Sequence, residues 1–469
     1  MPVEFLTEAQ AQRYGRFAEE PSAPQLARYF HLDESDTALI EVRRSAANRL
    51  GFALQLCTVR FLGTFLADPT EVPAGVITYV SRQLRVDPTC LPHYLERAPT
   101  HRDHAREIQR RYGYQDFHAQ PENFRLVRWL YLRAWVSDER PSMLFDLTTA
   151  RLVERKILLP GVTVLARLVA RVRERVAQRL WRVLAALPTS DQRTRLESLL
   201  VAPEGGRYSA LDRLRHGPTR ISSPALVGAI RRLEALRALG VSDLSLARVS
   251  LSRLTTLGRY AASVWAPTIA RMPEERRIAT LLAFARTMET TALDDSLDVL
   301  DLLLTDILAE ATQKGQQERL RTARDLDAAA LRLRQACAIL LDETCADTSI
   351  RPTVFTHVPR PELAEAVAQV GALARPPDDH YYPELVEQYQ RVRRFLPTLL
   401  RAIAFRSTPA GQPVLSALQF LAALDARRPP PLQNAPCEVV PRPWRRLVMG
   451  VDTAIDRRAY TVCVMECFQ

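Results

Sequence analysis

The fold is decided by the stretch Asn48 to Leu66, which reads NRLGFALQLCTVRFLGTFL. At 3.6 residues per turn its apolar residues predict one stripe along a helix, and Arg49 and Arg60 fall on nearly the same polar line. The stripe consists of Leu50, Ala53, Leu54, Cys57, Phe61 and Phe65. The stretch therefore predicts an amphipathic helix with an arginine-bearing edge.

A shorter helix is predicted just before it, over Thr37 to Arg44, with Arg43 and Arg44 at its end. Ser45 to Asn48 supplies turn and N-cap side chains between the two helices. Two short helices with arginines at the joint are one arrangement that reads DNA. An ordinary helical hairpin with solvated arginines is the alternative interpretation, and the spacing leaves both open.

Length and composition are those of a large globular protein. A chain of 469 residues is expected to form about two to four domains, and its 47% of hydrophobic residues suffices for a sizeable core. No apolar run is long enough to span a membrane, and the first residues lack the apolar segment of a secretory signal. Neither kind of segment is therefore predicted.

The charge balance favours a polyanionic partner. The net charge is +11, from 64 basic and 53 acidic residues, and nucleic acid is the usual partner of such a chain. The seven cysteines are scattered and odd in number, which predicts reduced thiols. Cys463 with Cys467, and His101 with His104, have the spacing of half a metal site. No second half follows at the required spacing, so we predict no metal centre.

A first basic segment runs from Arg97 to Trp135, where arginines interleave with tyrosine, phenylalanine and tryptophan. This mixture suits phosphate contacts combined with packing against bases or sugars. On a helix that begins near Thr100, Arg102, Arg106 and Arg110 lie one turn apart and form a basic ridge. An aromatic core with solvated arginines is the alternative interpretation.

The most basic segment spans residues 151–182. A helix capped by Thr163 would carry an arginine ladder, which we define as Arg167, Arg171, Arg175 and Arg179, at i, i+4 spacing and away from its core face. Like charges at this spacing destabilise an isolated helix by some tenths of a kcal/mol per pair. A polyanion bound along the ladder would relieve that cost, whereas a solvated basic face without a ligand is the alternative.

Connectors are predicted from composition. Glycine, proline and serine predict a linker over 202–224, and proline predicts stiff connectors over 352–383 and 427–446. Between them lies an acidic run that could in principle hold a metal ion. Leucines on the neighbouring face favour a solvated acidic surface instead. The run consists of Asp294, Asp295, Asp298, Asp301 and Asp306.

Several segments resemble the transposases of the Tn3 family, the replicative, cointegrate-forming transposases of bacterial mobile elements. They occur in the same order as in that family and cover most of the chain. The segments are Asn48 to Gly63, VPAGVITYVSRQL at 72–84, HAREIQRRYGYQDF at 104–117, RAWVSDERPSMLFDLTTARLVERKILLPGVTVLARLVARVRER at 133–175 and LDRLRHGPTRIS at 211–222.

The resemblance implies the N-terminal half of such a transposase, which recognises the terminal inverted repeats as double-stranded DNA and helps to pair two ends, as a homodimer in the full-length protein. The family's catalytic Asp, Asp and Glu hold two magnesium ions in a ribonuclease-H-like domain downstream of anything that matches here. The last helix, opening at Asp456, is expected to be interrupted at Gln469. We therefore predict no catalytic residue, metal or cofactor in this chain, and a bacterial cytoplasmic protein that is nucleoid-associated when bound.

The predicted fold class is all-α, with small helical DNA-binding modules followed by an irregular helical domain and no large sheet. The predicted segments are an N-terminal DNA-binding module (1–70), a basic and aromatic module (71–150), an arginine-rich helical segment (151–205), a helical dimerisation or scaffold domain (225–350), a helical segment (384–425) and the start of a further domain (440–469). The expected DNA-binding residues are Arg43, Arg44, Asn48, Arg49, Arg60, Arg82, Arg97, Thr100, Arg102, Arg106, Arg110, Arg111, Arg167, Arg171, Arg175 and Arg179.

Two other functions remain open at this point. The leucine-rich, acidic middle of the chain could make it a helical protein-interaction scaffold, and a truncated transposase could act as a stand-alone DNA-binding regulator. The arginines cluster in the first 182 residues, which favours DNA over a scaffold. Nothing in the residues separates a regulator from part of a transposase.

Overall fold

The computed structural model describes residues 5–96, 98–203, 205–373, 381–424, 432, 434–449 and 454–469. Within these ranges the chain is helical, and β pairing is limited to isolated bridges. The predicted all-α fold class is thereby confirmed. None of the helices in these ranges has both the length and the apolar character that a membrane span requires.

The chain divides into two compact units. The first comprises residues 1–189, 244–264 and 268–283, and the second comprises 190–243, 265–267 and 284–469. One core in the first unit contains residues from Phe30 to Ile108 and another contains residues from Phe117 to Val176. The first core thus contains residues from both sides of the domain boundary expected at 70/71. The second core contains residues from both sides of the domain boundary expected at 150/151.

The helices up to residue 198 range in length from 6 to 24 residues. They are α1 (Glu8–Arg13), α2 (Ala23–Tyr29), α3 (Glu34–Glu41), α4 (Ala46–Leu62), α5 (Ala74–Leu84), α6 (Ala98–Tyr112), α7 (Glu122–Val136), α8 (Pro141–Glu154), α9 (Val162–Ala185) and α10 (Ser190–Ser198). A 3-10 segment, Pro88–Tyr94, lies between α5 and α6.

The remaining helices include one very long element, α15. They are α11 (Ala210–Arg215), α12 (Ser223–Arg237), α13 (Leu251–Ser263), α14 (Ala266–Ala270), α15 (Glu274–Asp325), α16 (Asp327–Leu340), α17 (Asp347–His357), α18 (Arg360–Leu373), α19 (Tyr382–Glu387), α20 (Tyr389–Ala402), α21 (Gln412–Ala423), α22 (Arg445–Val448) and α23 (Arg457–Phe468).

Helix α4 is the centre of the first core. It begins where the Ser45 hydroxyl accepts a hydrogen bond from the Asn48 backbone N–H, as predicted, and it ends at Gly63 in the left-handed conformation (φ 74°). Every residue from Leu50 to Val59 is buried, because α2, α3, α5, α6 and the 3-10 segment all pack against this helix. The single apolar stripe therefore underestimated the burial of a helix that is surrounded by others. The arginines of its predicted polar line, Arg49 and Arg60, are partly exposed.

Gly51 makes the close packing of α4 possible. A Cβ atom added to this residue would collide with the ring of Tyr94, which is itself buried. We expect Gly51→Ala to lower the free energy of unfolding by about 1–3 kcal/mol through overpacking, measured by chemical denaturation. Gly228→Ala is the matched control in a helix, because no atom lies within 4 Å of its added Cβ. The control should be neutral or stabilising, and equal losses in both variants would contradict the packing argument.

Helices α7, α8 and α9 build the second core of the first unit. The N-cap residue of α9 is Gly161, and no side chain caps the helix, so the predicted cap at Thr163 was wrong. The buried residues of α9 include Leu165, Val172, Val176 and Leu180, which lie away from the arginine ladder. This packing determines which side of α9 faces the solvent.

The core of the second unit lies among α12, α15, α20, α21 and α23. The predicted linker over 202–224 contains helix α11, whose Leu211 and Leu214 are buried. The predicted connector over 352–383 is helical in its described part, where α17 continues past Pro352 and α18 has Pro361 in its first turn. A first-turn proline costs little because its missing N–H would have had no partner there. Residues 374–380 of this connector lie outside the described residues, as do 427–431 and 433 of the connector predicted over 427–446.

Candidate nucleic-acid interface

The basic ridge predicted on α6 is present. Arg102, Arg106 and Arg110 are exposed along one side of the helix, while His104 and Ile108 are buried on the other. Arg106 lies 3.6 Å from Asp103, but both side chains are largely exposed, so water screens the pair. Arg111 is exposed on the same helix. The ridge therefore presents its charges to solvent.

The arginine ladder on α9 is also exposed over its whole length. Arg167 and Arg179 are twelve residues apart, which corresponds to about 18 Å along the helix axis. In the described part of the chain no carboxylate lies within ion-pair distance of Arg167, Arg171 or Arg175. The nearby Glu174 accepts a hydrogen bond from Gln178. The ladder is thus a row of exposed cations without carboxylate partners among the residues that the structure describes.

Tryptophans near these arginines are half-buried and pack under guanidinium groups. Arg151 lies over the Trp129 ring at 4.6 Å and Arg179 over the Trp135 ring at 5.9 Å. Such contacts hold an arginine side chain against an aromatic face. Phe117 belongs to the core, whereas Phe124 is 62% exposed. The aromatic residues of this segment therefore serve mainly to build the core and to support arginines.

At the joint between α3 and α4 the arginines differ in their surroundings. Arg43 pairs with Glu107 at 2.7 Å and lies over the Phe52 ring at 4.5 Å. Arg44 is exposed, and Asn48 is partly exposed. Arg49 is half-buried, and its Nε is buried without a hydrogen-bond partner in the described part of the chain. Only part of the joint is therefore open to a ligand.

Arg60 is held inside the protein by a network that joins three helices. Its guanidinium group binds both carboxylate oxygens of Asp36, at 2.5 and 2.7 Å, and the Asp36 side chain is fully buried. The Tyr112 hydroxyl donates to the same carboxylate at 2.5 Å, and Arg60 lies over the Tyr112 ring. Burial and the hydrogen bond to Asp36 raise the pKa of Tyr112. These contacts tie α3, α4 and α6 together.

A second buried network surrounds His104, about two turns before Tyr112 on α6. The Tyr94 hydroxyl is 2.8 Å from His104 Nδ1, and Gln55 Nε2 donates to the Tyr94 oxygen at 3.0 Å. Burial, together with the charge of Arg43, lowers the pKa of His104 to about 4, so this ring is neutral at physiological pH. The histidine that had the spacing of a metal half-site is therefore engaged in packing α6 onto α4.

The remaining expected residues are spread over the first unit. Arg82 is exposed on α5, and Thr100 is partly exposed in the first turn of α6. Arg97 lies outside the described residues. Sequence reasoning missed three exposed arginines of the second unit, Arg213, Arg220 and Arg231, which line one cavity. The density of basic residues in LDRLRHGPTR could have pointed to Arg213 and Arg220, but this stretch had been interpreted as a linker.

The carboxylates of the acidic run on α15 do not converge on one site. Asp294, Asp298 and Asp301 are exposed, while Asp306 pairs with Arg391 at 2.8 Å. Asp295 pairs with Arg232. Over the ranges that the structure describes, no group of three or more His, Cys, Asp and Glu side chains is arranged to hold a metal ion.

Comparison with known proteins identifies a family model that matches part of the chain, and relatives that are transposases. Residues 5–172 match a family model described as a domain of unknown function, DUF4158. The chain is 49% identical over 470 residues to the transposase for transposon gamma-delta of Escherichia coli (strain K12), an alignment that covers 100% of this chain and 47% of that protein. It is 29% identical over 453 residues to the transposase for transposon Tn501 of Pseudomonas aeruginosa, covering 95% of this chain and 45% of that protein.

A third relative is the transposase for transposon Tn4556 of Streptomyces fradiae, which is 33% identical over 289 residues. That alignment covers 56% of this chain and 32% of the relative. The chain spans about half the length of the first two curated relatives.

Proposed function

We propose that this chain binds the terminal inverted repeats of a transposon as double-stranded DNA during transposition, as part of a transposase of the Tn3 family. Alignments with two transposases that cover 100% and 95% of this chain support the proposal. The observation that carries the proposal is the arginine ladder on α9, a row of exposed arginines without carboxylate partners in the described chain. A row of cations that the protein leaves unneutralised matches the regular charge of a phosphate backbone.

We further propose a division of roles within the first unit. The ladder and the ridge on α6 grip phosphates, which positions the protein without reading sequence. Arg44, Asn48 and Arg49, at the joint between α3 and α4, contact base edges. Arg43 and Arg60 have structural roles instead, because their guanidinium groups are bound to Glu107 and Asp36. Arg82, Thr100 and Arg111 extend the phosphate contacts.

A homodimer is part of the proposal for the full-length protein. Aliphatic side chains are exposed on α16 and α18, and Leu331, Leu340 and Val367 are each more than half exposed. A contiguous patch of such groups would favour association with another surface. We propose that magnesium chemistry belongs to the other half of the full-length protein, and that the protein works in the bacterial cytoplasm on nucleoid DNA, without a membrane partner.

The proposed function makes a direct prediction for the purified chain. It should bind a duplex that carries the terminal repeat of its own element more tightly than a scrambled duplex at physiological salt. The alanine variant at Arg44, Asn48 and Arg49 should lose part of this preference, at about 1–3 kcal/mol for each good base contact. Fluorescence anisotropy titration with both duplexes measures the ratio of dissociation constants, and equal affinities for the two duplexes would refute sequence-specific binding.

A further inference from the structure

A cavity of about 890 Å³ opens on the second unit, lined by α11, the loop after it and α12. Part of its lining is small and apolar, including Pro224, Ala225 and Gly228. A Cβ atom added to Gly228 would meet no atom within 4 Å, so the space beside this residue is open. Small side chains allow the backbone of a ligand to approach closely.

Three exposed arginines line the same cavity, and they are the residues that sequence reasoning missed. Arg213, Arg220 and Arg231 have no carboxylate within ion-pair distance in the described ranges. The less exposed arginines beside them are neutralised, since Arg215 pairs with Asp212 and Arg232 with Asp295. Among the described residues, the lining of the cavity therefore carries a net positive charge.

We propose that this cavity, which we call the arginine groove, binds the sugar-phosphate backbone of duplex DNA in addition to the contacts of the first unit. Guanidinium groups bind phosphate oxygens through two parallel hydrogen bonds, and the small apolar lining leaves room for the sugars. The inference rests on the proposed function insofar as the ligand is the same DNA. It adds a second, sequence-independent binding site to the molecule.

An acidic protein segment would carry the same charge as DNA, so the experiment must separate the two ligands. The full chain is titrated with a duplex of random sequence at several salt concentrations, so that recognition of the terminal repeat plays no part. Loss of Arg213, Arg220 and Arg231 to alanine should reduce the slope of log K against log salt by about 2.7, which is roughly 0.9 for each phosphate contact. When the salt concentration rises from 50 to 200 mM, the DNA affinity of this variant should therefore fall about 40-fold less than that of the wild type.

Two controls accompany this variant. Arg334, Arg351 and Arg360 are exposed elsewhere on the second unit, and their replacement by alanine removes the same charge but should leave the slope near that of the wild type. Gly228→Glu places a carboxylate in the open space of the groove and should weaken DNA binding several-fold, whereas Gly228→Ala should not. Circular dichroism confirms that each variant is folded.

The proposal would be overturned if the groove variant kept the wild-type slope, or if the control variant lowered it equally. It would also be overturned if a polyglutamate peptide bound the groove, with binding lost in the groove variant, while DNA binding was unchanged. A chain without preference for the terminal repeat that still shows the groove effect would refute the proposed function alone. The two hypotheses can therefore fail separately.

Discussion

Replacing Arg167, Arg171, Arg175 and Arg179 together by alanine will weaken binding to every duplex and flatten its dependence on salt. If each guanidinium group neutralises one phosphate, the slope of log K against log salt falls by about 3.6. Between 50 and 200 mM salt, four such contacts account for about a 150-fold loss of affinity in the wild type. The affinity of the variant should not show this part of the salt-dependent fall. The variant should keep its preference for the terminal repeat, because phosphate contacts carry no sequence information.

The fold should tolerate this change, because the four side chains are exposed and the core face of α9 is untouched. The matched control replaces the same four residues by lysine, which retains the charge and should retain most of the slope. Anisotropy titrations of both variants from low to high salt provide the measurement. If the alanine variant keeps the slope of the wild type, the ladder is a solvated basic face and the interface lies elsewhere.

Local sequence patterns were sufficient to predict the elements that carry the proposed interface. The spacing of arginines at every fourth residue predicted the ladder on α9 and the ridge on α6, and the exposed sides of both helices are where the pattern placed them. The N-cap of α4, Ser45, lies within the stretch Ser45 to Asn48 that was predicted to supply it. These features depend on residues within a few turns of one another, so the periodicity of a helix determines them.

The surroundings of single arginines could not be predicted in the same way. Arg60 and Arg49 fell on one polar line of the sequence, yet Arg60 meets a carboxylate 24 residues away and Tyr112 reaches the same carboxylate across 76 residues. Arg43 meets Glu107 on another helix. A helical pattern contains no information on which distant acid will neutralise a given arginine, because tertiary packing decides this.

The network around Asp36 leads to the second prediction of large effect. Asp36→Ala leaves the Arg60 guanidinium group and the Tyr112 hydroxyl without their shared partner in a largely buried site. Removing one member of a buried ion pair typically costs 3–5 kcal/mol, and we expect about 3 kcal/mol here because Arg60 retains some exposure. Chemical denaturation measures the loss. The control is Asp103→Ala, whose exposed pair with Arg106 should contribute less than about 1 kcal/mol.

The role of Arg60 can be tested separately from that of Asp36, because a structural arginine and a DNA contact give different results. Arg60→Met should destabilise the first unit, since it leaves the Asp36 carboxylate buried without its cation. Combining it with Asp36→Leu should recover part of the loss, because an apolar pair leaves no unpaired charge inside. Under conditions in which Arg60→Met is folded, its DNA binding should show the wild-type slope of log K against log salt. This is expected because Arg60 contacts no phosphate in the proposed arrangement. A slope lower by about 0.9 with unchanged stability would instead make Arg60 a phosphate contact.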